Sequence, residues 1–162
     1  GLDPEYLEIE LTESLVMEDI EQGLERLTDL KVRHIKLAID DFGTGYSSLL
    51  YLKKFPFDRI KIAQEFVRDI IHNPDYAAIA EAILLMANSL NISVTAVGVE
   101  EPKQLEFLRE RGCDEVQGKL FGSAMNAEEM TAFLKEANLL PKTFDRKTGP
   151  GKIKTEGSKR IH

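Results

Sequence analysis

Residues 35–45 read IKLAIDDFGTG: a short apolar run, two adjacent aspartates, then a loop punctuated by glycine. The run is short and rich in branched residues, so it reads as a strand, with Asp40 and Asp41 at its end. Working outward, four further runs have the same character: LEIEL (7–11), RIKI (59–62), ISVTAV (92–97) and DEVQ (114–117). Each delivers a polar group at or near its end: Glu10, Lys61, Glu100 just beyond the fourth run, and Gln117. Helical patterns lie between them. Residues 18–31 place Ile20, Leu24, Leu27 and Leu30 on one face, and residues 75–90 do so with Ile79, Ile83, Met86 and Leu90. Residues 102–111 open with Pro102 and stop at Gly112. Residues 127–137 follow Asn126 with Glu129 three positions on, as in a capping box.

Alternation of strand and helix predicts an α/β fold with a parallel sheet. An open doubly wound sheet and an incomplete (β/α)8 barrel both satisfy the periodicity. The polar strand ends favour the barrel, where reactive groups cluster at the C-terminal ends of the strands. A doubly wound sheet concentrates them at one switch point. The expectation is therefore an incomplete (β/α)8 TIM-type barrel of about five parallel βα units.

Composition narrows the function classes. The chain of 162 residues is 43% apolar and 30% charged, ordinary for a globular protein. No apolar run is long enough to span a bilayer, and GLDPEYLEIE does not read as a signal peptide. The single cysteine, Cys113, fits a reducing compartment and reads as a small buried apolar residue. The net charge is −7, and an acidic body argues against nucleic-acid binding. Residues 141–162 run the other way, with seven Lys and Arg against Asp145 and Glu156. They read as a basic, flexible tail beside a domain of residues 1–140.

Carboxylates converging from neighbouring strands repel one another unless a cation sits among them. Oxygen ligands suit Mg²⁺, Mn²⁺ or Ca²⁺. A lysine on the next strand could hold a phosphate or a metal-bound water, so the set resembles metal-assisted phosphodiester hydrolysis. Simpler roles stand beside this. Asp40 and Asp41 could terminate a strand, with Thr44 or Ser47 capping the next helix. Glu10, Lys61 and Gln117 could be ordinary solvated or satisfied groups.

ELTES (10–14), DDFGTGYSSL (40–49), LKKFPFDRIKI (52–62), GVE (98–100) and QGKLF (117–121) together resemble the EAL domain, the bacterial family of cyclic di-GMP phosphodiesterases. The resemblance implies a (β/α)8 barrel, a cytoplasmic signalling role, and Mg²⁺- or Mn²⁺-dependent hydrolysis of cyclic di-GMP to pGpG. It implies metal ligands at Glu10, Asp40 and Asp41, and a lysine on metal-bound water at Lys61. Glu100 and Gln117 match later polar members of the site. Glu13 matches the residue that steadies the loop Phe42, Gly43, Thr44 and Gly45.

Four departures fall on the chemistry. The segment that names the family, and the next strand with its metal-binding asparagine, have no counterpart, so the chain is expected to begin near the family's fourth strand. Val97 stands where the family has the glutamate expected to act as general base, and valine cannot take a proton. Ala63 replaces the aspartate of the Lys-Ile-Asp motif. Lys119 replaces a tyrosine, and the proline usual after Leu-Phe is missing from Gly122-Ser123-Ala124. The expected function is an EAL-type signalling domain, truncated and inactive, working as a binding or interaction module. The alternatives are a working cyclic di-GMP phosphodiesterase and a receptor that binds without cleaving. Open strand edges and an apolar inner face exposed to water would favour a homo-oligomer.

Overall fold

The computed structural model describes residues 3–18, 20–45 and 52–136. The described residues divide into two units, one up to Ser123 and one from Ala124 onward. The basic stretch 141–162 and Ser47 lie outside the described residues.

The first unit holds one parallel sheet of β1 Glu8–Thr12, β2 Lys36–Phe42, β3 Arg59–Ile62, β4 Ser93–Val97 and β5 Glu115–Gln117. The strands lie in sequence order, 1-2-3-4-5, with no reversal. A doubly wound sheet needs a reversal to make its switch point, so the barrel-type winding is the one realised. The chain is an α/β protein built as part of a TIM-type barrel.

Helices connect the strands. α1 (Glu13–Glu18) and α2 (Ile20–Val32) follow β1, α3 (Gln64–Arg68) and α4 (Pro74–Leu90) follow β3, and α5 (Pro102–Glu110) follows β4. The second unit contributes α6, Ala127–Glu136. Side chains cap the helix starts. Asn73 Oδ1 accepts the Asp75 and Tyr76 amides, and Pro74 takes the first turn of α4, where a missing N–H costs nothing. Asn126 and Glu129 bond reciprocally at the start of α6, each side chain accepting from the other's amide at 2.9–3.0 Å. β5 starts at Glu115 rather than Asp114, because the Asp114 carboxylate is used elsewhere: it accepts the Val94 amide at 2.8 Å. Asp58 does the same before β3, accepting the Leu37 amide at 2.8 Å and pairing with Lys31 at 2.7 Å.

Side chains alternate across a strand. On one face, Leu37, Ile39, Ile60, Ile62, Val94 and Ala96 are at most 2% exposed. They form the core with Phe66 and Val67 of α3, Ala80, Ile83, Leu84 and Ala87 of α4, and Leu108 of α5. Burying each large one contributes roughly 1.5–3 kcal/mol. The other face corrects an expectation. It is not apolar: it carries Glu8, Glu10, Asp40, Arg59, Lys61, Thr95 and Glu115, joined by hydrogen bonds and ion pairs. In LEIEL and RIKI the apolar residues take the helix side, so the charged ones must take the inner side.

Candidate functional site

The rim at the C-terminal ends of the strands centres on Lys61, whose side chain is only 8% exposed. Its ammonium donates to Glu10 Oε2 at 2.7 Å and lies 3.8 Å from Asp40 Oδ1. Glu10 on β1, Asp40 on β2 and Lys61 on β3 therefore share one face and one locality. Neither acid is deeply buried: the Glu10 and Asp40 side chains are 44% and 31% exposed.

The paired aspartates do not simply end a strand. β2 runs through both to Phe42. Ile39 pairs with Ile60 and Phe42 with Ile62, so Asp40 and Asp41 together stand opposite Lys61. Two residues against one is a β-bulge. Asp41 takes the left-handed conformation that accommodates it, with φ at 52°, a conformation aspartate tolerates better than most residues. The bulge, not simple alternation, separates the two carboxylates. Asp41 is exposed and takes no part in the ion pairs of Lys61.

The loop that follows is held from below by Glu13, the first residue of α1. Glu13 is 2% exposed and its Oε2 accepts the Gly43 amide at 3.0 Å. Its Oε1 is buried with no hydrogen-bond partner among the described residues. Gly43 has φ at 99°, and a Cβ there would sit 2.9 Å from the Phe66 ring, so glycine is required twice over. A Cβ on Gly45 would meet Glu13 Oε1 at 2.7 Å. Thr44 donates its hydroxyl to the Asp41 carbonyl at 2.9 Å, which closes the turn. Phe42 is buried in the core.

On the other side of the rim, Glu100 pairs with Lys119 at 2.9 Å. That contact raises the Lys119 pKa, although the ammonium is fully exposed. Gln117 places its backbone carbonyl under the β4 end, accepting the Gly98 and Val99 amides at 2.7 and 3.0 Å. Val97 is paired with Gln117 in the sheet and lies one alternation beyond Thr95, on the inner face.

Two residues that organise this region were missed as site residues. Gln104 is 3% exposed; it accepts the Glu100 and Glu101 amides and donates to the Arg68 carbonyl. Its place three residues after Glu101, in the first turn of a proline-started helix, was a readable signal. Arg59 lies two residues before Lys61 and so on the same face; it bonds Glu8, Thr95 and Glu115.

The donor chemistry at the rim is that of hard oxygens, which suits Mg²⁺ or Mn²⁺. Among the described residues no group of three Asp, Glu, His or Cys side chains gathers to hold a metal. The cation facing Glu10 and Asp40 is the ammonium of Lys61.

Fold and rim together define a parallel βα barrel segment with an acid–lysine cluster at the strand ends. The EAL domain model matches residues 1–124. The chain belongs to the EAL domain family. It is 46% identical over 138 residues to the uncharacterized protein sll1895 of Synechocystis, covering 85% of this chain and 20% of that protein. It is 44% identical over 132 residues to MucR of Pseudomonas aeruginosa, a bifunctional diguanylate cyclase and cyclic di-GMP phosphodiesterase, covering 82% of this chain and 19% of MucR. The solved P. aeruginosa MucR phosphodiesterase with c-di-GMP superposes with a TM-score of 0.78 at 44% identity, over 80% of this chain and 52% of that one. Klebsiella pneumoniae BlrP1, solved with manganese and cy-diGMP, gives 0.69 at 40% identity over 74% of this chain and 31% of its own. The chain thus spans about a fifth of the length of these curated relatives. No helix among the described residues is long and apolar enough to cross a membrane.

Proposed function

We propose that this chain is an EAL-type module of cyclic di-GMP signalling that binds or interacts without hydrolysing the dinucleotide. One observation carries the reading. The inner-face position at the end of β4, where the family pattern has a glutamate, is Val97. A valine can neither accept the proton of an attacking water nor ligate a cation. Loss of a general base alone lowers a rate by roughly 10²–10⁴. Ala63, buried in the apolar core at the N-cap of α3, removes a second carboxylate from the family pattern. The Glu100–Lys119 pair engages a third acid. The ligand class follows from the relatives named as cyclic di-GMP phosphodiesterases.

Calorimetric titration with cyclic di-GMP, with and without Mg²⁺ and combined with product analysis, tests the reading. The expected result is no pGpG. Micromolar binding without product makes the module a receptor; no binding makes it an interaction scaffold. Turnover at the rate of an intact relative would overturn the proposal.

The edges β1 and β5 each pair with only one neighbour among the described residues, which supports self-association. Light scattering behind size-exclusion chromatography is expected to give a mass above 18.3 kDa, and a monomer at micromolar concentration counts against it.

A further inference from the structure

Beneath the rim, on the same inner face, lies a second layer of charge. Arg59 Nε donates to Glu8 Oε2 at 3.0 Å, and its Nη1 donates to Thr95 Oγ1 at 2.9 Å and to Glu115 Oε2 at 2.6 Å. The arginine side chain is 16% exposed. Burial opposes its charge, but the carboxylates of Glu115 and Glu8 outweigh burial and hold its pKa above the ordinary value. Glu8 is on β1, Arg59 on β3 and Glu115 on β5: one guanidinium on the central strand holds both edge strands.

That contact is possible only in a strongly curved sheet. Four steps of about 4.8 Å put the edges of a flat five-stranded sheet roughly 19 Å apart, with side chains perpendicular to it. Three such side chains would stand parallel, well out of reach of one another. The stagger agrees with curvature. Glu10, Ala38, Arg59 and Ser93 are aligned by backbone pairing, and so are Lys61, Thr95 and Glu115. Arg59 nevertheless reaches Glu8, two residues back on β1, and Glu115, aligned two residues ahead. This is the tilt of barrel strands, whose alternate members contribute to a common interior layer. Such layers are dominated by Val, Ile and Leu. Here a charged set takes that place, and the planar fork of arginine can bind two acids at once where a lysine offers a point charge.

We infer that Arg59 is a positioning residue for the rim. By drawing Glu8 and Glu115 together it keeps β1 and β5 inclined toward each other, so that Glu10 and Gln117, two residues further along the same strands, stay on either side of Lys61. The sheet keeps its curvature from within rather than from closure of the ring alone.

Double electron–electron resonance on the 162-residue chain tests this, with nitroxides at Thr12 and Lys119 in a Cys113→Ala background. The parent is expected to show one narrow distance population. Arg59→Met keeps the aliphatic stem and removes both ion pairs; the population is expected to broaden and move to longer distance. Arg59→Lys is expected to fall between. Glu115→Gln, at a side chain 57% exposed, keeps the fold and releases one strand, and is expected to broaden the population less than Arg59→Met. Far-UV circular dichroism identifies the folded variants. If Arg59→Met does not fold, Glu115→Gln and Arg59→Lys carry the test. Distributions that superimpose on the parent in every folded variant overturn the inference.

Discussion

The two faces of this one sheet are built from opposite materials. Toward the helices stand Leu37, Ile39, Ile60, Ile62 and Val94, nearly free of solvent. Toward the inside stand Glu8, Glu10, Arg59, Lys61 and Glu115 in ion pairs. The first face is held by burial, which is non-directional and scales with area. The second is held by geometry, because a partly buried charge is tolerated only beside a partner. The helix side therefore fixes that a fold forms, and the inner side fixes where its polar groups meet.

The sharpest way to break the contrast is to cut the apolar side. Ile60→Ala removes a side chain with no exposure and is expected to cost about 2–5 kcal/mol in urea unfolding. A cost under about 1 kcal/mol would mean the helix layer does not close on the sheet.

Next is a charge placed on the wrong side. Cys113 packs against the core, and burial pushes its thiol from 9.0 to about 11, partly offset by hydrogen bonds with backbone. Its sequence context predicts a small buried apolar residue; it is half-buried, with its thiol donating to the Glu115 carbonyl at 3.1 Å. Because the folded pKa is the higher one, the native state holds the proton more tightly. The stability this contributes is complete below about pH 9 and is lost as pH rises toward about 11. The parent should lose roughly 1–3 kcal/mol more than Cys113→Ala over that window. Parallel pH–stability curves for the two proteins would falsify it.

The smallest effects compare the two rim lysines. Lys61 is enclosed and faces two acids, so Lys61→Met is expected to cost about 1 kcal/mol, leaving Glu10 and Asp40 without their cation. Lys119, fully exposed, pairs with Glu100 alone among the described residues. Lys119→Met is expected to leave the unfolding midpoint unchanged. Equal losses at the two positions would show that burial does not distinguish these pairs.

Much of this was legible along the chain. RIKI is a strand with the bounds its pattern predicts, and the capping box at Asn126 and Glu129 lies where those residue types place it. Glu10, Asp40 and Lys61 share the rim that their positions in the sequence predict, because strand ends, period-two alternation and parallel winding are local rules. Other features were not legible. The bulge at Asp40 and Asp41 depends on pairing with β3, eighteen or more residues away. The charged inner face was written in LEIEL and RIKI, but which side turns inward is chosen by the helices. The Glu8–Arg59–Glu115 set depends on register and tilt summed over four strand pairings.

The amino-acid order by itself determined the βα alternation and the absence of a proton acceptor at Val97, since each is a property of a residue and its near neighbours. Tertiary structure alone decided that one arginine would hold both edges of the sheet, and that Lys61 would take the place between Glu10 and Asp40. Those contacts join residues 21 to 56 positions apart, and their distances are set by curvature and register rather than by any local preference.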